Sequence, residues 1–193
     1  GQLQQLKRLR PLVLSKEFFA PRTVSELAQL RAELPNARLL AGGTDVGLWV
    51  TKQLRDPGPL IYLGEVAELR RVEQVEGYLD IGAGATFSQL LPLLGGEFPG
   101  LATVLRRFAS PPIRNAATLG GNIANGSPIG DSMPGLIALG TRLVLRRQAT
   151  RREMALEDFY LDYQKTALGT GEFVEKIRIP LASAGQHIAA YKV

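Results

Sequence analysis

Two short stretches, LLAGGTDV at Leu39–Val46 and ATLGGNIA at Ala117–Ala124, limit what this chain can become. Each is an apolar run, a Gly-Gly pair and a small polar residue. Glycine pairs weaken both helix and strand. The longer run ATLGGNIANGSPIGDS, from Ala117 to Ser132, is therefore expected to be loop. Without Cβ atoms the amides of such a turn can form a concave anion-binding nest, and a nearby helix start adds positive potential. Singly, each turn also reads as plain turn chemistry. As a pair, one in each half of the chain, they suit a pyrophosphate clasped between them. On that reading valine at Gly43 or Gly120 blocks the ligand while the fold survives.

The rest of the chain places these turns. Thr23 and Glu26 fit a capping box, and Val24, Leu27, Leu30 and Leu34 follow at helical spacing until Pro35. ARLLA (37–41) reads as a buried strand broken by Gly42-Gly43, with a helix through Lys52 capped by Thr44 or Asp45. PLIYL (59–63) is a second buried strand, which gives a parallel βαβ unit. From about Glu68 the pattern changes. LRRVEQVEGYLDIGAGA reads as a hairpin turning at Glu76-Gly77, and Thr86 and Gln89 form a second capping box for a helix through about Leu94. PGLATVLRRFA and MPGLIALG read as helices, TRLVLRR and EFVEKIRIP as strands. The expected division is an extension over 1–14, a small α/β lobe over 15–66, and a larger α+β lobe with an antiparallel sheet over 67–193.

Composition removes whole classes of chemistry. The chain has no cysteine, so it forms no disulfide and holds no cysteine-ligated iron–sulfur cluster, and its one histidine is His187. Multi-histidine metal sites are excluded, and no metal-binding residues are assigned. The net charge of +5 is scattered in pairs such as Arg70-Arg71 and Arg151-Arg152, without aromatic partners. That favours solvated faces or an acidic partner over nucleic acid. No apolar run approaches the ~18 residues of a membrane span, so no membrane association is expected. With no signal-peptide core at the N-terminus, a cytoplasmic location is expected. IGAGATFSQL (81–90) looks like a dinucleotide fingerprint, but Phe87 stands where that turn needs a small residue, so a tight strand-to-helix turn is expected. No phosphate-binding G-x-x-x-x-G-K-[ST] loop occurs.

LLAGGTDVGLWVTK (39–52) and RRFASPPIRNAATLGGNIANGSPIGDSMPGLIALGTRLVLRR (106–147), continued by MALEDFYLDYQK and GEFVEKIRIP, resemble the FAD-binding domain of the molybdenum hydroxylases, nearest the flavin- and iron–sulfur-carrying small subunit of the bacterial xanthine dehydrogenase type. The resemblance covers about residues 15–193. It implies the two-lobed α+β fold shared with vanillyl-alcohol oxidase and p-cresol methylhydroxylase, with FAD between the lobes. It maps a first flavin loop onto Leu39, Leu40, Ala41, Gly42, Gly43, Thr44, Asp45 and Val46, and a second onto Thr118, Leu119, Gly120, Gly121 and Asn122. Asp131 matches the Asp of a Ser-Pro-x-x-Asp run and also fits a helix N-cap. Phe108, Val174 and Lys192 match further cofactor contacts.

The resemblance further implies NAD as co-substrate, iron–sulfur domains with 2Fe-2S clusters in the same subunit, and a molybdopterin-binding large subunit as partner. It implies an electron outlet rather than the site of purine hydroxylation, with no side chain acting as general acid or base. An aldehyde or carbon monoxide dehydrogenase flavin subunit, or a non-catalytic flavin- or nucleotide-binding module, remains the alternative. The chain is expected to be an excised part of such an assembly. Tyr163 and Lys165, in LEDFYLDYQKTALGTGEF, are expected either to gate a nicotinamide groove or to lie on a surface connection.

Overall fold

The computed structural model describes residues 11–13, 17–127, 130–163, 165–181 and 189–191. The expectations for residues 1–10, His187 and Lys192 fall outside them. The first sheet contains β1 (Leu12–Val13), β2 (Phe18–Ala20), β3 (Arg38–Leu40) and β4 (Leu60–Tyr62), in the order β1-β2-β4-β3. β2, β4 and β3 run parallel, as the βαβ reading requires, and β1 adds an antiparallel edge. Leu12 and Val13, expected in an extension, thus belong to the sheet.

Helix α1 (Val24–Glu33) carries the capping box. The Glu26 amide donates to Thr23 Oγ1, and the Glu26 carboxylate accepts the Thr23 amide. Val24, Leu27 and Ala28 form its buried face. Helix α2 (Val46–Thr51) links β3 to β4 and buries none of its residues.

The second sheet contains the hairpin β5 (Val72–Val75) and β6 (Tyr78–Gly82), whose turn is at Glu76-Gly77. Helices α3 (Phe87–Glu97), α4 (Pro99–Arg106), α5 (Pro111–Ala116), α6 (Leu119–Asn125) and α7 (Ser132–Ala138) follow. Strands β7 (Arg142–Arg147) and β8 (Thr150–Ala155) form a hairpin, and β9 (Tyr160–Asp162) and β10 (Lys165–Thr166) a small separate one. The last strand, β11 (Phe173–Pro180), inserts between β6 and β7. The sheet, ordered β5-β6-β11-β7-β8, is antiparallel throughout, as expected.

The run expected to be loop is helical over Leu119–Asn125. Tertiary hydrogen bonds override the low propensity of its Gly-Gly-Asn core. Thr118 caps this helix by accepting the Gly121 amide, and Gly126 ends it in a left-handed conformation.

The larger core lies between the second sheet and its helices. Ile81, Ile177 and Ile179 meet Phe87, Leu90, Leu101 and Leu105 there. The other sheet face carries an ion-pair ladder. Asp80, only 4 % exposed, accepts from Lys176 at 2.8 Å and Arg178 at 2.9 Å. The smaller core contains Leu27, Ala28 and Ile61 together with Leu69 and Phe173, which come from beyond the first sheet. The chain from Gly82 to Gly84 is laced to the 3-10 turn Ala67–Arg70 and the residue after it: the Gly84 amide donates to Leu69 O at 2.7 Å and the Gly82 amide to Arg71 O at 2.8 Å.

Phe173 therefore holds the two sheets together. Phe173→Ala is expected to lower unfolding free energy by about 3–5 kcal/mol, read from denaturant titration. Leu161→Ala, at a side chain 59 % exposed, is expected to change it by less than about 0.5 kcal/mol.

Candidate functional site

A cavity of about 440 Å³ opens between the first sheet and the helical side of the second. One wall is the whole segment Leu39–Val46. The other contains Phe108, Thr118, Gly120, Gly121, Asn122 and Val174. The structure thus brings together fourteen of the residues mapped from the two flavin loops and their neighbours. Leu119 points instead into the larger core. Asp131 stands at the N-cap of α7 without a capping bond from its side chain and is not among the lining residues. Tyr163 is 71 % exposed on the β9–β10 hairpin and is also absent from the wall.

The two Gly-Gly pairs do different work. In the first, Gly43 has φ +67°, a left-handed conformation, and its missing Cβ would meet nothing nearer than Leu40 Cδ1 at 3.7 Å. Among the described residues, the amides of Gly42, Gly43, Thr44 and Asp45 have no backbone acceptor. Four consecutive amides in a glycine turn at a cavity wall are free for an anion. In the second pair the amides are taken. Leu119 donates to Ala85 O at 3.0 Å, Gly120 to Ala83 O at 3.0 Å, Gly121 to Thr118 Oγ1 at 3.1 Å and Asn122 to Thr118 O at 3.0 Å. The expected nest at this turn is therefore absent, and what remains is a small, flat wall.

Both pairs also permit a close crossing of backbones. A Cβ on Gly42 would lie 1.9 Å from Ala116 O, and one on Gly120 would lie 2.4 Å from Ala83 Cβ and 2.6 Å from Ala83 O. Gly120 is therefore a packing glycine, and valine there would force backbone at Ala83 to shift, which argues against the expectation that the fold is left unaffected.

Several lining residues had no motif to mark them. Trp49 sits one helical turn after Val46 on α2 and stacks under two guanidinium groups, Arg38 at 4.2 Å and Arg55 at 5.1 Å from the ring centroid. The i, i+3 spacing from Val46 is the one signal that could have found it. Ile113 and Ala83 are brought in by tertiary packing alone. Arg114 Nη1 donates to Phe108 O at 2.6 Å and Ala109 O at 2.8 Å. These bonds hold Ala109 at φ +47° and set Phe108 against Phe87, ring centroids 4.6 Å apart. Ser132 Oγ lies 2.5 Å from Asn122 Oδ1, which tethers α7 to α6. The Tyr160 hydroxyl donates to Ile123 O at 3.1 Å, and burial pushes its pKa up to about 12, so it remains a phenol at physiological pH.

A second hollow of about 600 Å³ shares the Leu40–Gly43 wall and is lined further by Tyr62, Arg70, Ser88, Gln89 and Asn115. The free-amide turn thus stands between two spaces. Among the described residues no group of three or more His, Cys, Asp or Glu could hold a metal ion.

The glycines separate by substitution. Gly120→Ala is expected to cost about 1–3 kcal/mol of stability because backbone must shift. Gly43→Ala is expected to cost about 1 kcal/mol and to leave the secondary structure intact. Thermal unfolding followed by circular dichroism distinguishes them.

The geometry has counterparts among known proteins. Residues 14–182 match the family model described as the FAD binding domain in molybdopterin dehydrogenase. Xanthine dehydrogenase of Emericella nidulans is 34% identical over 95% of this chain and 15% of its own length. The carbon monoxide dehydrogenase medium chain of Hydrogenophaga pseudoflava is 32% identical over 88% of this chain and 60% of its own. A solved carbon monoxide dehydrogenase from Hydrogenophaga pseudoflava superposes with a TM-score of 0.82 at 31% identity, covering 90% of this chain and 62% of that one. The chain thus spans about a seventh of the xanthine dehydrogenase and three fifths of the carbon monoxide dehydrogenase chain. A two-lobed fold of this kind, a loop of free amides at its cavity and a family match over most of its length together make this chain a member of the FAD-binding domain family of the molybdopterin dehydrogenases.

Proposed function

We propose that the cavity binds FAD and that the chain is the electron outlet of a molybdenum hydroxylase. The observation that carries this reading is the run of free amides from Gly42 to Asp45, which lines the cavity and whose first two residues also border the second hollow. A dinucleotide with a pyrophosphate at its centre has room there on both sides. The residues present fit that ligand. Gly43 leaves open space, and Phe108, Ile113 and Val174 give apolar surface for a ring system. Thr118 Oγ1 accepts from the Gly121 amide and keeps its own proton to donate.

In this reading the first loop, from the small lobe of 15–66, receives the phosphates. The larger lobe of 67–193 supplies the apolar wall, and the family resemblance assigns Asp131 and Lys192 as further cofactor contacts. FAD, if bound there, would supply hydride-transfer chemistry that the protein's own side chains lack. The protein's share is binding, orientation and exclusion of water, with no side chain as general acid or base. The proposed donors are 2Fe-2S clusters in neighbouring domains of the same subunit, fed by a molybdopterin-binding large subunit. The proposed acceptor is NAD+, and the proposed setting is cytoplasmic purine oxidation of the xanthine dehydrogenase type. Among the described residues no helix is long and apolar enough to cross a membrane. The similarity to the carbon monoxide dehydrogenase medium chain supports a second reading, in which the same flavin domain serves a different hydroxylase substrate.

Calorimetry with FAD, FMN and ADP tests the two-sided site. FAD is expected to bind at least about tenfold more tightly than either half, a difference of ~1.4 kcal/mol; equal affinity for FMN overturns it. A stopped-flow experiment without oxygen tests the acceptor side. NADH mixed with FAD-loaded protein is expected to bleach the flavin absorbance, and unchanged absorbance counts against NAD as the partner of this chain.

A further inference from the structure

Strand β11 contains an irregularity that the proposed function does not use. Val174 pairs with Leu145 and Lys176 with Val144, so Glu175 is an extra residue with no partner on β7. This is a β-bulge. Its effect on the side chains is specific. Phe173 goes to the smaller core, while Val174, Ile177 and Ile179 go to the larger one. In a regular strand Val174 and Ile177 would face opposite sides, because alternation has a period of two. The bulge is what lets Val174 reach the cavity while the two isoleucines stay in the core.

The bulge is held by charge. Glu175 Oε2 accepts from Arg151 Nε at 2.7 Å, and Oε1 accepts from Arg151 Nη2 at 3.0 Å and from Arg146 Nη1 at 3.3 Å. The Glu175 side chain is 14 % exposed and that of Arg146 10 %. Arg146 and Arg151 stand directly opposite each other on β7 and β8. Like charges in that position repel, and the Glu175 carboxylate, bonded to both, offsets that repulsion. Its hydrogen bonds also raise the pKa of Arg151. Arg146 Nε donates to Gln148 O at 2.7 Å, which ties the clamp to the β7–β8 turn.

The backbone at the bulge leads back to the site. Glu175 O accepts the Ala83 amide at 3.1 Å, and Ala83 O accepts the Gly120 amide at 3.0 Å. Ala83, Gly120 and Val174 all line the cavity.

We propose that Glu175, clamped between Arg146 and Arg151, is a positioning residue for the cavity: it fixes the bulge that turns Val174 into the wall and, through the Ala83 and Gly120 amides, seats the start of α6. Its effect on ligand affinity rests on the reading of the cavity as a flavin site; its effect on the wall does not.

Amide hydrogen exchange, resolved by residue in the flavin-free protein, tests the wall directly. In Glu175→Gln the Ala83 and Gly120 amides are expected to exchange about tenfold faster than in the wild type, because the buried Arg146 and the half-exposed Arg151 lose their shared counter-charge. Glu175→Asp keeps the charge and is expected to restore most of the protection. Glu172→Gln removes the charge of the neighbouring Arg152–Glu172 pair, 2.8 Å long between β8 and the residue before β11, and is expected to leave both amides unchanged. FAD titration of the same proteins is expected to show about tenfold weaker binding and an altered bound-flavin spectrum in Glu175→Gln alone. Wild-type exchange at both amides in Glu175→Gln overturns the proposal. Should that variant not fold, Arg151→Gln removes one arm of the clamp at a half-exposed side chain and is read at the same amides; unchanged exchange there overturns it equally. A wild-type protein that binds no FAD defeats the reading of the site, and the exchange data still decide what Glu175 does.

Discussion

The hydrogen bond from the Gly120 amide to Ala83 O, 3.0 Å long, is the constraint on which the rest of the structure depends. It brings two backbones together with no side chain between them. From it follow the burial of Leu119 and Ile123, the helical path of α6 despite its glycines, and the flat second wall of the cavity. Gly42 against Ala116 O repeats the device on the facing wall. The cavity is thus bounded on both sides by crossings that exclude a Cβ, and its outline is set by backbone.

The two Gly-Gly pairs look alike as sequence and differ as chemistry. The first leaves its amides without backbone partners, and the second consumes all of its own in packing and capping. An anion is therefore held from one side only. The opposite wall contributes shape, a threonine hydroxyl and an aromatic ring. The free amides and the apolar ring surface of Phe108 and Val174 thus come from different lobes, and substitution can address each separately.

Much of this was legible in the residues. Both capping boxes, Thr23 with Glu26 and Thr86 with Gln89, mark helix starts correctly because the reciprocal bonds are local. ARLLA and PLIYL pair as parallel neighbours, as expected, but only Ala37 and Ile61 in them are buried, because β3 is the edge of its sheet and Arg38 is exposed. The helix over Leu119–Asn125 was not legible, because hydrogen bonds to Ala83 and Ala85, far off in sequence, stabilise it. Strand β8 was missed for a related reason: its solvent face is charged and its partner supplies the order. The bulge on β11 does leave a trace, since the apolar positions Val174, Ile177 and Ile179 are spaced by three and then two. At the site, the two loops were found through family resemblance. Trp49 and Ile113 come from turns of helix whose destination only the tertiary structure reveals.

Leu69 and Phe173 have a consequence for how a ligand enters. Both are fully buried among side chains of the first sheet and α1, yet both belong to the chain that builds the second sheet. The lobes share a core, so pulling them apart would expose it. Hinge opening is thereby made costly, and the shared core couples the unfolding of one lobe to that of the other. Access to the cavity is left to its rim, where α2 buries none of its residues and Trp49 lies half-buried against Arg38 and Arg55. The least buried boundary of the cavity is therefore α2, not a hinge between the lobes.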